Sequence, residues 1–142
     1  MQIRSAETAG FCFGVERAVS LAEQTAKSCA SAVTLGPIIH NHHVVERFEA
    51  MGLREIARAE DAQPGQTVVI RAHGIPVSEQ QTLAARGAKL VDATCPFVKK
   101  IHVIARQAEE AGRHLLIIGT PTHPEVTAIA SYSSDAHVFQ TA

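Results

Sequence analysis

Apolar positions along the chain follow two alternating rhythms. Short β-branched or aliphatic runs alternate with longer stretches in which apolar residues return every three or four positions, as strands and amphipathic helices do. The strand-like stretches are Gln2–Ala6, Ala32–Leu35, Leu53–Ala57, Thr67–Arg71, Lys89–Asp92, His114–Gly119 and Ala136–Phe139. Helices are predicted over Gly14–Ala30, Asn41–Met51, Pro76–Arg86, Pro96–Ala111 and Pro124–Ser131. Each helix has an expected inward face. It is Val15, Ala18, Val19, Ala22 and Ala26 in the first, Val44, Val45, Phe48 and Met51 in the second, and Val98, Ile101, Ala105 and Ala108 in the fourth. Gly52, Gly87 and Gly112 suit helix C-termini, and Pro64-Gly65 marks a turn. Pro76, Pro96 and Pro124 suit the first helical position, where a missing N–H costs nothing.

Strands alternating with helices predict βαβ units with right-handed crossovers. The expected fold class is α/β, a three-layer αβα arrangement with a mainly parallel sheet. The 142 residues suit a single domain, and they carry no internal repeat, linker or low-complexity segment. A hydrophobic fraction of 46% with 19% charged residues excludes a disordered chain. The net charge of -1 and 4% aromatics argue against a nucleic-acid footprint. Leu115–Ile118, the longest aliphatic run, is too short to cross a bilayer, and the N-terminus lacks the apolar core of a signal peptide. A cytoplasmic protein with reduced thiols is the expectation. Eight histidines are many for this length, and three cysteines cannot all pair within one chain.

In open α/β sheets ligands bind beyond the carboxyl ends of the strands. The loops expected there are Ala9–Gly14, Gly36–Asn41, Arg71–Pro76, Asp92–Pro96 and Gly119–Glu125. Each carries one cysteine or histidine just before a helix: Cys12, His40, His73, Cys95 and His123. Cys12 and Cys95 would lie at helix N-termini, where the dipole favours the metal-binding thiolate. The same helix ends, with the three histidines, would favour an anion such as phosphate. Glu125, two residues past His123, is placed to pass protons to a ligand.

Plainer readings stand beside these. A lone cysteine is usually a small buried hydrophobe, and Cys12 and Cys95 form no local metal signature. Cys29 sits near a helix end, between Ser28 and Ala30. His42 and His43 read as solvated, and His102, His114 and His137 as structural or surface residues. Thr94 reads as an N-cap, Gly10 and Gly14 as turn and packing residues, and Glu125 equally as a charge favouring a helix N-terminus.

Five segments carry a resemblance. Gly10-Phe11-Cys12-Phe13-Gly14-Val15-Glu16-Arg17-Ala18, His40-Asn41, Ala72-His73-Gly74, Asp92-Ala93-Thr94-Cys95-Pro96 and His123-Pro124-Glu125-Val126 resemble, in order, the motifs of the 4-hydroxy-3-methylbut-2-enyl diphosphate reductase (IspH/LytB) family. The resemblance implies the last step of the non-mevalonate isoprenoid pathway. There an allylic diphosphate loses its hydroxyl with two electrons and two protons, giving isopentenyl and dimethylallyl diphosphates. It implies a [4Fe–4S] cluster held by three cysteines with its fourth iron open, and a ferredoxin- or flavodoxin-like electron donor. Carried over by motif, Cys12 and Cys95 are two cluster ligands. His40, His73 and His123 surround the substrate diphosphate, and Glu125 delivers protons. The family's chains are about twice as long and fold as three similar α/β units. These residues would then be the N-terminal unit, with the third cysteine outside them. Two other readings stay open. One is a non-catalytic module that binds diphosphate. The other is a zinc site, or a disulfide in cluster-free protein, built on Cys12 and Cys95.

Overall fold

A computed structural model describes residues 2–4, 6–7 and 9–141. The chain order is α1 (Phe13–Ser28), β1 (Val33–Leu35), α2 (His42–Ala50), β2 (Arg54–Ile56), a 3-10 turn (Ala59–Asp61), β3 (Thr67–Ile70), α3 (Val77–Ala85), β4 (Lys89–Asp92), α4 (Pro96–Glu110), β5 (Leu115–Ile118), α5 (Pro124–Ala130) and β6 (Ala136–Phe139). Every strand pair is parallel. Four strands form a sheet in the order β2-β1-β3-β4, and β5 and β6 form a second sheet of two.

The two central strands, β1 and β3, are buried on both faces because they are apolar at nearly every position, while the edge strands β2 and β4 carry charged, exposed residues. Along β3 the side chains alternate. Val69 faces Ala18, Val19, Ala22, Val44 and Phe48 from α1 and α2. Val68 and Ile70 face Ile75 and Leu83, next to the 3-10 turn with Ala59 and Ala62. The result is the three-layer arrangement, with α1 and α2 on one face and α3 with the 3-10 turn on the other.

Three expectations change. Gln2–Ala6 forms no strand at Gln2, Ile3, Arg4 or Ala6, and Ser5 lies outside the described residues. Ile3, the one large apolar residue there, is 81% exposed, too little burial to offset the ordering of a strand. Pro76 is the N-cap of α3 rather than its first residue, while Pro96 and Pro124 do start their helices. The buried face of α4 is Val98, His102 and Ala105. Ile101 instead points outward with Phe97 and Ile104. Val98 and Ala105 are buried as expected, and His102 takes the place of Ile101 between them, stacked on Tyr132 with ring centroids 4.6 Å apart. Among the described residues no helix is long and apolar enough to cross a membrane.

Candidate functional site

The loops at the carboxyl ends of β1, β3 and β4 are laced by backbone hydrogen bonds. Ala72 N–H donates to Ile38 O at 3.1 Å, and Cys95 N–H donates to Ala72 O at 2.9 Å. His40, His73 and Cys95 are thereby fixed side by side although they are far apart in sequence. Among the described residues no strand precedes the Cys12 loop. Arg17 on α1 donates from Nη1 to Thr94 O at 3.2 Å and from Nη2 to Asp92 O at 3.4 Å, which pins the start of α1 to the β4 loop. The fifth loop, with His123 and Glu125, leaves the second sheet. The rim is therefore assembled from two sheets and a helix start, not from one sheet.

Cys12 and Cys95 are the N-caps of α1 and α4. A Cβ placed on Gly14 would run into Cys95 Sγ, so this glycine lets α1 approach the thiol through bare backbone. Cys12, Cys95, His73 and Glu125 line one cleft of about 160 Å³. An adjoining cleft of about 290 Å³ shares Val15, Ala72 and His73 with it and adds Phe11, Ile39, His40 and Asn41. One cleft thus offers thiols and a carboxylate, and the other offers imidazole beside an apolar wall.

The three histidines converge. Ring centroids lie 4.6 Å apart for His40–His73, 5.5 Å for His73–His123 and 5.8 Å for His40–His123. His123 caps α5, and its Nδ1 accepts from Glu125 N–H at 3.3 Å. The neutral ring then carries its proton on Nε2, as a donor. The Nδ1 of His73 is buried without a hydrogen-bond partner. Burial first, then the charges of His40, His123 and Arg71, pushes the His73 imidazole down to about 4. Such a group is poised for an anion, which would reverse the repulsive part of that shift.

Free His73 is expected to stay neutral to about pH 4, readable by imidazole NMR. Its contribution to stability is present above pH 6.5, the ordinary value that the unfolded chain follows. As pH falls from there to about 4 the unfolded chain takes up a proton that the fold refuses, so stability falls across that window. Thermal melts should show this loss, and His73→Phe should flatten it. A His73 signal titrating near 6.5 would refute the assignment.

The other candidates fall elsewhere. Cys29 is the C-cap of α1, at the far end of that helix from Cys12. Its thiol is pulled down by hydrogen bonding to Thr67 and then Ser31. All three cysteines are free. Among the described residues, two groups of three or more side chains bring metal-ligand atoms within 4.8 Å, and neither includes a cysteine. The Cys12 and Cys95 thiols with two histidines are therefore not drawn into one such group. His42 and His43 are exposed in the first turn of α2, as expected. Thr94 is not the N-cap of α4, because Cys95 takes that place. Thr94 is instead buried, its N–H donating to Asp92 Oδ1 at 2.9 Å. Burial pushes the Asp92 carboxyl up, but hydrogen bonds from Lys99 and Thr94 outweigh it and hold it low. Sequence reasoning assigned no role to Arg17 or to Arg71, whose Nε donates to Gly74 O at 3.2 Å. Their positions inside or next to the motifs were the available signal.

The family model described as LytB protein matches residues 3–142. The 4-hydroxy-3-methylbut-2-enyl diphosphate reductase of Oleidesulfovibrio alaskensis is 47% identical over 140 residues, 97% of this chain and 50% of the relative. The enzyme of that name from Aquifex aeolicus is 44% identical over 128 residues, 89% of this chain and 44% of the relative. A solved structure of (E)-4-hydroxy-3-methyl-but-2-enyl diphosphate reductase, described as the terminal enzyme of the non-mevalonate pathway, superposes with a TM-score of 0.81 at 42% identity. It covers 96% of this chain and 50% of its own. The reductase structure from Plasmodium falciparum gives a TM-score of 0.88 at 28% identity, covering 94% and 43%. The chain spans about half the length of the curated relatives it matches.

Proposed function

The chain belongs to the LytB protein family, and from that premise we propose that residues 1–142 are the N-terminal unit of a 4-hydroxy-3-methylbut-2-enyl diphosphate reductase. The observation that carries this reading is the gathering of Cys12, Cys95, His40, His73, His123 and Glu125 around two adjoining clefts. The substrate is an allylic diphosphate. Its hydroxyl leaves as water with two electrons and two protons, giving isopentenyl and dimethylallyl diphosphates in the cytoplasm. A ferredoxin- or flavodoxin-like protein donates the electrons.

The donor set fits an iron–sulfur cluster in part. Cys12 and Cys95 are free thiols at two helix N-termini lining one cleft, and thiols are the ligands such clusters take. Cys29 is at the wrong end of α1 to join them, so the third ligand comes from outside these residues. When bound, a [4Fe–4S] cluster supplies electrons and an open Lewis-acidic iron for a poor leaving group. Cys12 and Cys95 would hold it from this side.

The rest is done by the chain's own groups. His40, His73 and His123 bind the diphosphate, with His123 donating from Nε2, the nitrogen left free by the Glu125 N–H. A bound anion offsets the repulsion from His40, His123 and Arg71 that adds to the effect of burial on His73. Phe11, Val15 and Ile39 form an apolar wall suited to the hydrocarbon part and keep water from it. Glu125 shares the cleft of the two thiols and holds a proton for the departing hydroxyl.

A second reading is a module that binds diphosphate without chemistry. It rests on the three histidines, which meet one another independently of the thiols. Calorimetry with inorganic diphosphate tests the shared part of both readings. The chain should bind it, and His40→Ala or His123→Ala should each weaken binding about tenfold, about 1.4 kcal/mol for one charge-assisted hydrogen bond. No heat of binding would sink both. Anaerobic reconstitution with iron and sulfide then separates them, because only the reductase unit contributes thiolates to a cluster.

A further inference from the structure

The second sheet carries a side-chain cluster that the reductase reading does not use. His114 immediately precedes β5, Asp135 immediately precedes β6, and His137 is the second residue of β6. The parallel register pairs Leu115 with Ala136 and Leu116 with His137, and Leu115 N–H donates to Asp135 O at 3.1 Å. His114 therefore lies beside Asp135. Asp135 and His137 share a face because side chains alternate along a strand. Asp135 Oδ1 is 2.8 Å from His137 Nε2, and its Oδ2 meets His114 Nδ1. All three ligand atoms lie within 4.8 Å of one another. The cluster sits at the opening end of β5, whereas the candidate site is reached from the closing end.

We propose that His114, Asp135 and His137 form a zinc-binding site that ties the start of β5 to the start of β6. Two imidazoles and one carboxylate are borderline donors. They match Zn²⁺ and its late first-row neighbours, and not Mg²⁺ or Ca²⁺, which prefer oxygen alone. Three protein ligands leave one tetrahedral position for water, and the cluster is open enough to admit it, with side-chain exposures of 77%, 44% and 56% in chain order. The structural consequence is specific. A two-stranded sheet is marginal on its own, and a metal joining its two strands binds only the folded state.

The test uses Zn²⁺ itself, added until all sites on the chain are filled, because the thiols and the rim histidines also take zinc. Imidazole ¹⁵N signals of His114 and His137 should move saturably. Equilibrium dialysis should show one equivalent fewer for His114→Ala, His137→Ala and Asp135→Asn, or at least about a tenfold weaker site in each. Zinc should raise the melting temperature of the parent more than that of His137→Ala. These side chains are exposed, so circular dichroism should find the variants folded. Unmoved His114 and His137 signals in the unaltered chain overturn the proposal, whatever the variants do. So does undiminished zinc stoichiometry and affinity in His114→Ala and His137→Ala.

Discussion

Serine in place of Cys95 is expected to abolish cluster retention while leaving the fold intact. Anaerobic reconstitution with iron and sulfide, in a chain of the relatives' full length, should yield iron content and visible absorbance lowered on the order of 100-fold or more. Even partners outside the ligand shell are typically worth 10- to 100-fold in metal affinity. Reductase activity should fall with it. The geometry makes this a clean experiment. Cys95 is the N-cap of α4 without a side-chain capping bond, and Pro96 follows as the first helical residue. Serine is a better N-cap than cysteine, so α4 loses nothing and its first turn gains an acceptor. The link from Cys95 N–H to Ala72 O is backbone and survives any substitution other than proline. Cys12→Ser should behave alike at the start of α1. Cys29→Ser, at the far end of α1, is the control and should keep both cluster and activity. If Cys95→Ser retains a full cluster, the ligand assignment is wrong.

The second large effect is on stability and is expected from Gly74→Ala. Gly74 has φ +76°, the left-handed region, and a Cβ there would lie 2.6 Å from His102 Cε1 and 3.3 Å from Thr94 Cγ2. The backbone conformation alone costs about 1–2 kcal/mol for an L side chain. Forcing a methyl into packed surroundings adds about 1–3 kcal/mol. Together the loss should be roughly 2–5 kcal/mol in denaturant unfolding. His102 cannot retreat freely, because it is buried and stacked on Tyr132. The double variant Gly74→Ala/His102→Ala separates the two causes. Relative to His102→Ala alone, Gly74→Ala should then cost only the backbone part. An equal cost in both backgrounds would show that His102 is not what Gly74 accommodates. The position also matters for function, because Gly74 follows His73. A displaced His102 would tilt the loop that holds the half-buried His73 imidazole.

The outward face of α4 shows the limit of reading periodicity. The helical rhythm of Val98, Ile101, Ala105 and Ala108 is present, and so is a second stripe of Phe97, Ile101 and Ile104. Both are apolar, and the pattern could not choose between them. Packing against Tyr132 decided it, burying His102 and leaving Phe97 70% exposed. The rim of the candidate site shows the reverse. All six residues chosen from the loops lie on its two clefts or in its histidine cluster. They could be picked out because loops at strand ends, closed by Pro96, Pro124 and Asn41, are local features that sequence records directly.

The alternation of elements, the helix starts and stops, and the presence of one reactive side chain in each loop were determined by the sequence itself. These follow from short-range rules of backbone geometry, capping and burial period. Only the tertiary structure decided that β5 and β6 leave the main sheet, that Arg17 anchors α1 to the β4 loop, and that His40, His73 and His123 meet. The low affinity of His73 for a proton and the pairing of His114 with His137 across Asp135 were decided there too. Each depends on which distant segments share a register or a buried surface. Long-range pairing, burial and mutual electrostatic repulsion act between residues whose separation along the chain carries no trace of their contact.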